Sequence, residues 1–174
     1  FLGMATQSPI DLEGTYPLPE AQVDRFLVRI RLGYPEEKAE IAMLRAHGTE
    51  PPEAQTVLSA EEVEHLQAIA HRVHVENEIH QYAVQLARYT RRHNKIVLGA
   101  SPRASLGLLL AAKAHAVVSG RAYAVPDDVR AVAEAVLCHR LVLTPDLEGD
   151  EAARRNVVLE ALEHVPYSKA VVAR

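Results

Sequence analysis

Two arginines stand where a guanidinium group could meet an anion. Arg103 falls in the first turn of a helix predicted to begin at Pro102, where free backbone N–H groups and the positive end of the helix dipole favour a negative charge. Because a cation there is slightly unfavourable for the helix, its presence indicates a functional reason. Arg25 closes a short predicted helix and is expected to project from a surface. By spacing alone the favoured interpretation is a surface arginine paired with Asp24 or Glu20.

Other catalytic chemistry is less well supported by the residue types. His71 and His74 are three residues apart on one predicted helix and His80 follows. No carboxylate or cysteine cluster completes a metal-ligand set around them, so we interpret them as solvated helix-face residues and predict no metal site. A nucleophile would need an adjacent base, and we interpret Ser101 and Ser105 as cap and helix-face residues instead.

The C-terminal two-thirds of the chain is predicted to be a bundle of four or five short helices. The first begins at a capping box formed by Ser59 and Glu62. The later helices are predicted over about Asn77–His93, from Ser101-Pro102 to a stop at Gly120, from Pro126 to about Cys138, and over about Glu151–His164. The stretch from Leu106 to Val118 is apolar nearly all round, so its helix is expected to be central and most buried.

The N-terminal part is predicted to contain one or two strands. Residues 1–6 are expected to form a strand, and the alternation from Phe26 to Leu32 predicts another. A short helix is predicted from Glu20 to Arg25. A further helix is opened by Tyr34-Pro35 and stopped by Gly48. The predicted fold class is therefore mostly α, with a strand-bearing segment at residues 1–48 and a helical domain at residues 49–174.

Three sequence blocks carry a resemblance to a known family. They are ATQSPI at 5–10, continued by EGTYPLPEAQVDRF at 13–26, then LGASPRASL at 98–106, and YAVPDDV at 123–129. In this order they resemble the C-terminal part of MoxR-family AAA+ ATPases. The first block is similar to the segment from the sensor-1 strand to the arginine finger, and the other two to the starts of lid helices. Residues 144–174 are the least distinctive part of the match.

The resemblance implies roles for three residues. Arg25 would be the arginine finger, offered to ATP held by a neighbouring subunit, and Arg103 would be the sensor-2 arginine that contacts the phosphates. Both roles fit phosphoryl transfer, which needs positive charge around the γ-phosphoryl group. Ser8 would occupy the sensor-1 position, where the family usually places asparagine. Serine offers one donor on a shorter arm, so this catalytic position is where the sequence departs from the family.

The resemblance also implies cofactors and partners. The complete protein would bind ATP and Mg²⁺, assemble into a homo-oligomeric, hexameric ring, and act as a chaperone on clients that carry a von Willebrand factor A domain. This sequence contains no G-x-x-x-x-G-K-[ST] phosphate-binding loop. We therefore expect the chain to be the sensor and lid portion of the ATPase and not to hydrolyse ATP by itself.

Two other classes of function stay open at this point. One is a helical protein-interaction module with vestigial nucleotide-sensing motifs, which Ser8 would favour. The other is the tail of a nucleic-acid-dependent ring ATPase, for which the basic run at 88–95 is the only support. A formal net charge of −4 gives no reason to expect nucleic acid as a partner.

Composition bounds the location of the protein. The single cysteine, Cys138, cannot form an internal disulfide, which is typical of a reducing compartment. His139 and Arg140 follow it and are interpreted as cations that cap a helix end. The longest apolar stretch, at 106–118, is too short to span a bilayer. We expect a cytoplasmic protein with no membrane partner.

Overall fold

The computed structural model describes residues 3–7, 18–47 and 53–167. Helices dominate these residues. The regular elements are α1 Glu20–Val23, α2 Glu37–Ala46, α3 Ala60–Arg72, α4 Asn77–Thr90, β1 Ile96–Leu98, α5 Pro102–Val118, α6 Pro126–Leu137, β2 Val142–Leu143 and α7 Glu151–His164. Two short 3₁₀ helices, Cys138–Arg140 and Pro145–Leu147, lie on either side of β2. The prediction of a mostly α fold with a helical bundle is confirmed.

Helix α5 lies at the centre of the bundle and packs against α3, α4 and α6. One side is buried and consists mainly of small residues, namely Ala104, Ser105, Gly107, Leu108, Ala111, Ala112 and Ala116. Small side chains let neighbouring helices approach closely. The predicted central position is confirmed, although the apolar surface of the helix is not all covered, because Leu106 and Val118 are 56% and 88% exposed.

The helix ends follow the local signals in the sequence. At α3 the Ser59 hydroxyl accepts from the Glu62 backbone N–H at 3.1 Å, and the Glu62 carboxylate accepts from the Ser59 N–H at 2.7 Å. The predicted capping box is therefore present. Helix α5 ends before Gly120, whose φ of +72° is a left-handed conformation that glycine adopts without strain. The helix predicted to follow Tyr34-Pro35 is α2, but Gly48 lies outside the described residues.

The strands of the structure are not the predicted ones. Residues 3–7 and the segment Phe26–Leu32 have no strand structure, so the prediction of strands there is wrong for the described residues. A strand needs a neighbour for its hydrogen-bond ladder. Among the described residues, the segment 26–32 makes one backbone–backbone hydrogen bond to the bundle, from the Arg29 N–H to the Ala135 carbonyl at 2.9 Å. The observed sheet instead pairs β1 with β2 antiparallel.

The predicted division at residue 48 remains a prediction. Helix α2 buries none of its residues, as expected of a connecting region. Contacts nevertheless cross the boundary, because Arg29 and Arg31 both bind Glu151 of α7 at 2.7 Å. The N-terminal segment and the helical bundle therefore share an interface.

A buried carboxylate fastens the turn between α5 and α6. Asp128 is fully buried and accepts from Arg121 at 2.5 and 2.7 Å, from the Val125 backbone N–H at 2.7 Å, and bonds His115 at 2.6 Å. Burial alone would raise the pKa of Asp128, but the hydrogen bonds from Arg121, Val125 and His115 outweigh it and hold the pKa below its ordinary value. The charged carboxylate is thus part of the folded structure.

We expect Asp128→Asn to lower the free energy of unfolding of the chain by about 3 kcal/mol at pH 7, because it leaves Arg121 without its buried counter-charge. Asp127→Asn is the matched control, since Asp127 is exposed in the same helical turn. Urea denaturation measures both, and equal losses would contradict the role of Asp128.

The same substitution predicts a pH dependence. The folded-state pKa of Asp128 is depressed. The stabilisation of the folded chain by its ionised carboxylate is therefore complete above the unfolded pKa, about 3.9, and is lost as pH falls through the lower folded pKa. The stability difference between the parent chain and Asp128→Asn should therefore shrink on acidification below about pH 4. Denaturation curves between neutral and acidic pH check this, and a constant difference would contradict it.

Candidate functional site

Arg25 lies just beyond the end of α1 and is exposed. Its backbone N–H donates to the Gln22 carbonyl at 3.1 Å, which closes the short helical turn. The guanidinium makes no hydrogen bond or ion pair with the described residues, including Asp24 and Glu20, the partners that a plain surface role would require. Its charge is therefore available to a group outside residues 3–7, 18–47 and 53–167.

The residues before and after Arg25 accept hydrogen bonds from a second arginine, Arg140. The Arg140 side chain is 2% exposed and its Nε–H donates to the Asp24 carboxylate at 3.0 Å. Its terminal nitrogens donate to the carbonyls of Asp24, Phe26, Leu27 and Val136. A guanidinium has five N–H donors, and these contacts occupy all of them.

The role predicted for His139 and Arg140 is only partly right. Arg140 does bond the Val136 carbonyl in the last turn of α6, as capping requires. Most of its N–H groups, however, donate to residues 24–27. His139 is not the predicted cation, since burial lowers its pKa. Its neutral Nε2–H donates to the Phe26 carbonyl at 3.1 Å. Sequence reasoning missed these contacts because more than a hundred residues separate the partners.

The Asp24 carboxylate also reaches the start of α5. The Ser101 hydroxyl donates to Asp24 at 2.9–3.0 Å and accepts from the Arg103 backbone N–H at 3.1 Å. Ser101 is therefore the predicted N-cap, and it is bonded to the residue before Arg25 as well. Burial lowers the pKa of the Arg140 guanidinium and the Asp24 carboxylate opposes that effect, which keeps a charged pair at the centre of the site.

Helix α4 fixes the loop that leads into α5. Thr90 Oγ1 accepts from the Ala100 N–H at 3.0 Å, and Arg91 Nε–H donates to the Ala100 carbonyl at 2.7 Å. At Gly99 a β-carbon would lie 2.6 Å from Arg91 Cα, so only glycine allows this close approach. The first turn of α5, with Arg103, is thereby held in place.

Arg103 itself is exposed and its guanidinium makes no hydrogen bond or ion pair with the described part of the chain. Its charge is close enough to Arg140 to lower the pKa of that group slightly. The structure therefore joins the segments of Arg25 and Arg103 through Asp24 and Ser101, and neither guanidinium group has a partner among the described residues. Ser8, the third predicted site residue, lies outside the described residues.

The other candidate groups are mostly used by the fold. In the basic run, Arg91 bonds a carbonyl of the loop before α5, and His93 and Lys95 face Glu160 at 2.9 and 3.9 Å. Burial raises the pKa of the Cys138 thiol to about 11, so the thiol is unreactive at neutral pH. His74 bonds Glu76 at 3.0 Å on the surface.

Two family models match this chain. One, described as "AAA lid domain", matches residues 88–160, which run from the end of α4 into α7. The other, described as "ATPase family associated with various cellular activities (AAA)", matches residues 1–28, which include Arg25. The two matches fall on the two segments that the Asp24 contacts join.

Similar proteins cover nearly the whole chain. It is 43% identical over 174 residues to Chaperone MoxR1 of Mycobacterium tuberculosis, covering 95% of this chain and 46% of that protein. It is 37% identical over 176 residues to YeaC of Bacillus subtilis, covering 99% and 55%. A crystal structure of a candidate ATPase from Cytophaga hutchinsonii matches with a TM-score of 0.83 at 31% identity, covering 94% and 53%. The chain belongs to the MoxR family of AAA+ ATPases.

This MoxR-family chain spans about half the length of the relatives that it matches. The part of its helical bundle at residues 88–160 matches the AAA lid, and Arg103 and Arg140 both fall within these matched residues. In the described ranges, no helix combines the length and the apolar character that crossing a bilayer would require.

We expect Arg140→Met to lower the free energy of unfolding of the chain by about 3 kcal/mol, because it leaves the buried side of Asp24 and several carbonyls without donors. Amide exchange at Arg29 should also accelerate, since its N–H is the one backbone bond from segment 26–32 to the bundle. Arg155→Met is the control, because its ion pair with Glu134 is exposed and should be worth less than about 1 kcal/mol. Similar losses in both variants would contradict the assignment.

Proposed function

We propose that this chain is the sensor and lid portion of an ATPase that couples ATP binding and hydrolysis to the remodelling or activation of partner proteins. Arg25 is the arginine finger and Arg103 the sensor-2 residue. One observation carries the proposal. The Asp24–Ser101–Arg140 contacts hold both arginine-bearing segments firmly while neither guanidinium is neutralised by a described residue.

The physical case for Arg25 is that no described residue pairs with its charge. A surface arginine with no function usually lies beside a carboxylate or folds along apolar surface. Here the neighbouring carboxylate, Asp24, is taken by Arg140 and Ser101. A guanidinium on a firmly held segment, with no partner among the described residues, suits a γ-phosphoryl group, whose charge is spread over three oxygens in the transition state.

The nucleotide requires more than these groups supply. ATP with Mg²⁺ would be held chiefly by a phosphate-binding loop, which this sequence does not contain. Ser8 takes the sensor-1 position in this proposal and acts on the attacking water or the γ-phosphate through its single hydroxyl. The chain alone is not expected to turn over ATP.

A finger that acts on a neighbour's nucleotide requires subunits arranged head to tail, and such an interface closes into a ring. We therefore extend the proposal to a homo-oligomeric, hexameric ring in the cytoplasm. The name Chaperone MoxR1 of a relative supports a client protein as the partner, and the family resemblance supports a client with a von Willebrand factor A domain.

In the full-length protein, Arg25→Ala should lower kcat for ATP hydrolysis by about 10³-fold while nucleotide affinity stays nearly unchanged, because a finger acts in the transition state. Steady-state hydrolysis and titration with a fluorescent ATP analogue measure the two quantities. Arg155→Ala serves as a control for loss of a surface arginine. Normal turnover in Arg25→Ala would contradict the finger role and favour an interaction module with vestigial motifs.

Arg103→Ala should instead weaken nucleotide affinity, by about tenfold or more, because a charge-assisted contact to phosphate is made in the bound ground state. The fluorescent-nucleotide titration is again the measurement. Arg92→Ala, an exposed arginine of the basic run, is the control. An unchanged isotherm together with unchanged turnover would rule out a sensor role for Arg103.

A further inference from the structure

The contacts of Arg140 are distributed around Arg25 in a specific way. They engage the side chain and carbonyl of Asp24, which precedes it, and the carbonyls of Phe26 and Leu27, which follow it. His139 adds a second donor to the Phe26 carbonyl. The backbone on each side of Arg25 is thus fixed to one buried group, while the Arg25 side chain is left outside.

The second fixed point is the Asp24 carboxylate. One oxygen accepts from both Arg140 and Ser101, and the other accepts from Ser101. The Asp24 side chain is only 22% exposed, so water competes poorly for these bonds. Because Asp24 and Arg25 are adjacent, any movement of the carboxylate shifts the base of the Arg25 side chain.

Resting on the finger role proposed above, we infer that Asp24 and Arg140 are positioning residues for Arg25. Neither touches the nucleotide. Arg140 holds residues 24–27 in place through its hydrogen bonds. The Asp24 carboxylate links these residues to Ser101, the N-cap of α5. A guanidinium on a long, flexible stem loses much of its catalytic effect when its base can move, since a misplacement of about 1 Å can cost as much as 100-fold in rate.

The experiment is a double-mutant cycle in the full-length protein, with Asp24→Asn, Arg25→Ala and the combination. Asp24→Asn keeps the shape of the side chain but removes the charge that Arg140 and Ser101 share. It should lower kcat by about 10- to 100-fold with KM for ATP unchanged. In the Arg25→Ala background the same substitution should lower kcat no further, because the effect of Asp24 on turnover is exerted through Arg25. Single-turnover hydrolysis of radiolabelled ATP follows the slow variants.

Two further variants separate positioning from loss of structure. Glu20→Gln removes an exposed charge from the same short helix and should leave kcat unchanged. Arg140→Lys keeps a positive charge beside Asp24 but replaces a five-donor fork with a point charge, so it should lower kcat in the same Arg25-dependent manner as Asp24→Asn. Thermal melts establish that each variant is folded at the assay temperature.

Each possible outcome of the double-mutant cycle either supports or overturns the inference. A loss of kcat from Asp24→Asn that disappears in the Arg25→Ala background supports the inference. An equal loss in both backgrounds would mean that Asp24 serves the structure alone, and would overturn it. If Arg25→Ala slows turnover but Asp24→Asn does not, the inference falls while the finger role stands. If Arg25→Ala has no effect, the proposed function itself falls, and the inference with it.

Discussion

The burial of the Arg140 guanidinium constrains this structure more than any other contact. A buried cation requires a counter-charge and an acceptor for each N–H, and without them the desolvation cost is several kcal/mol. Helix α6 supplies one acceptor, the Val136 carbonyl. The other acceptors come from residues 24–27, more than a hundred positions away. The N-terminal segment must therefore fold onto the lid, because Arg140 could not otherwise be buried.

Several local features follow from that requirement. Gly107 of α5 lies under this segment, since an added β-carbon there would be in ordinary van der Waals contact with Val136 at 3.4 Å and with Leu27 at 3.5 Å. The segment after Leu27 then runs along the bundle, with Arg29 bonded to Ala135 and, through its side chain, to Glu151. The Arg29–Glu151 pair is partly exposed, so it is expected to contribute less than about 1 kcal/mol to stability.

The sequence alone predicted what local chemistry determines. Ser59 and Ser101 were identified as helix caps because a cap needs only residues within one turn. The strand predicted at Phe26–Leu32 failed for the opposite reason. Its alternation is compatible with a strand, but forming one depends on a neighbour that cannot be inferred locally. Arg140 was interpreted from its own helix end, and nothing near it in sequence indicated Asp24 as its partner. Roles for Arg25 and Arg103 come from family motifs, since spacing alone favours a plain surface role for Arg25.

The carboxylate clusters of Asp128 and Asp24 differ in reach, and that difference bears on the proposed function. Asp128 takes its partners from within 13 residues of itself, so it fixes a turn inside the lid. Asp24 takes its partners from 77 and 116 residues away, so it fixes the lid against another segment. A nucleotide-driven change in lid angle would leave the first cluster intact. It would act directly on the second, because the bond between Ser101 and Asp24 joins the helix of Arg103 to the base of Arg25.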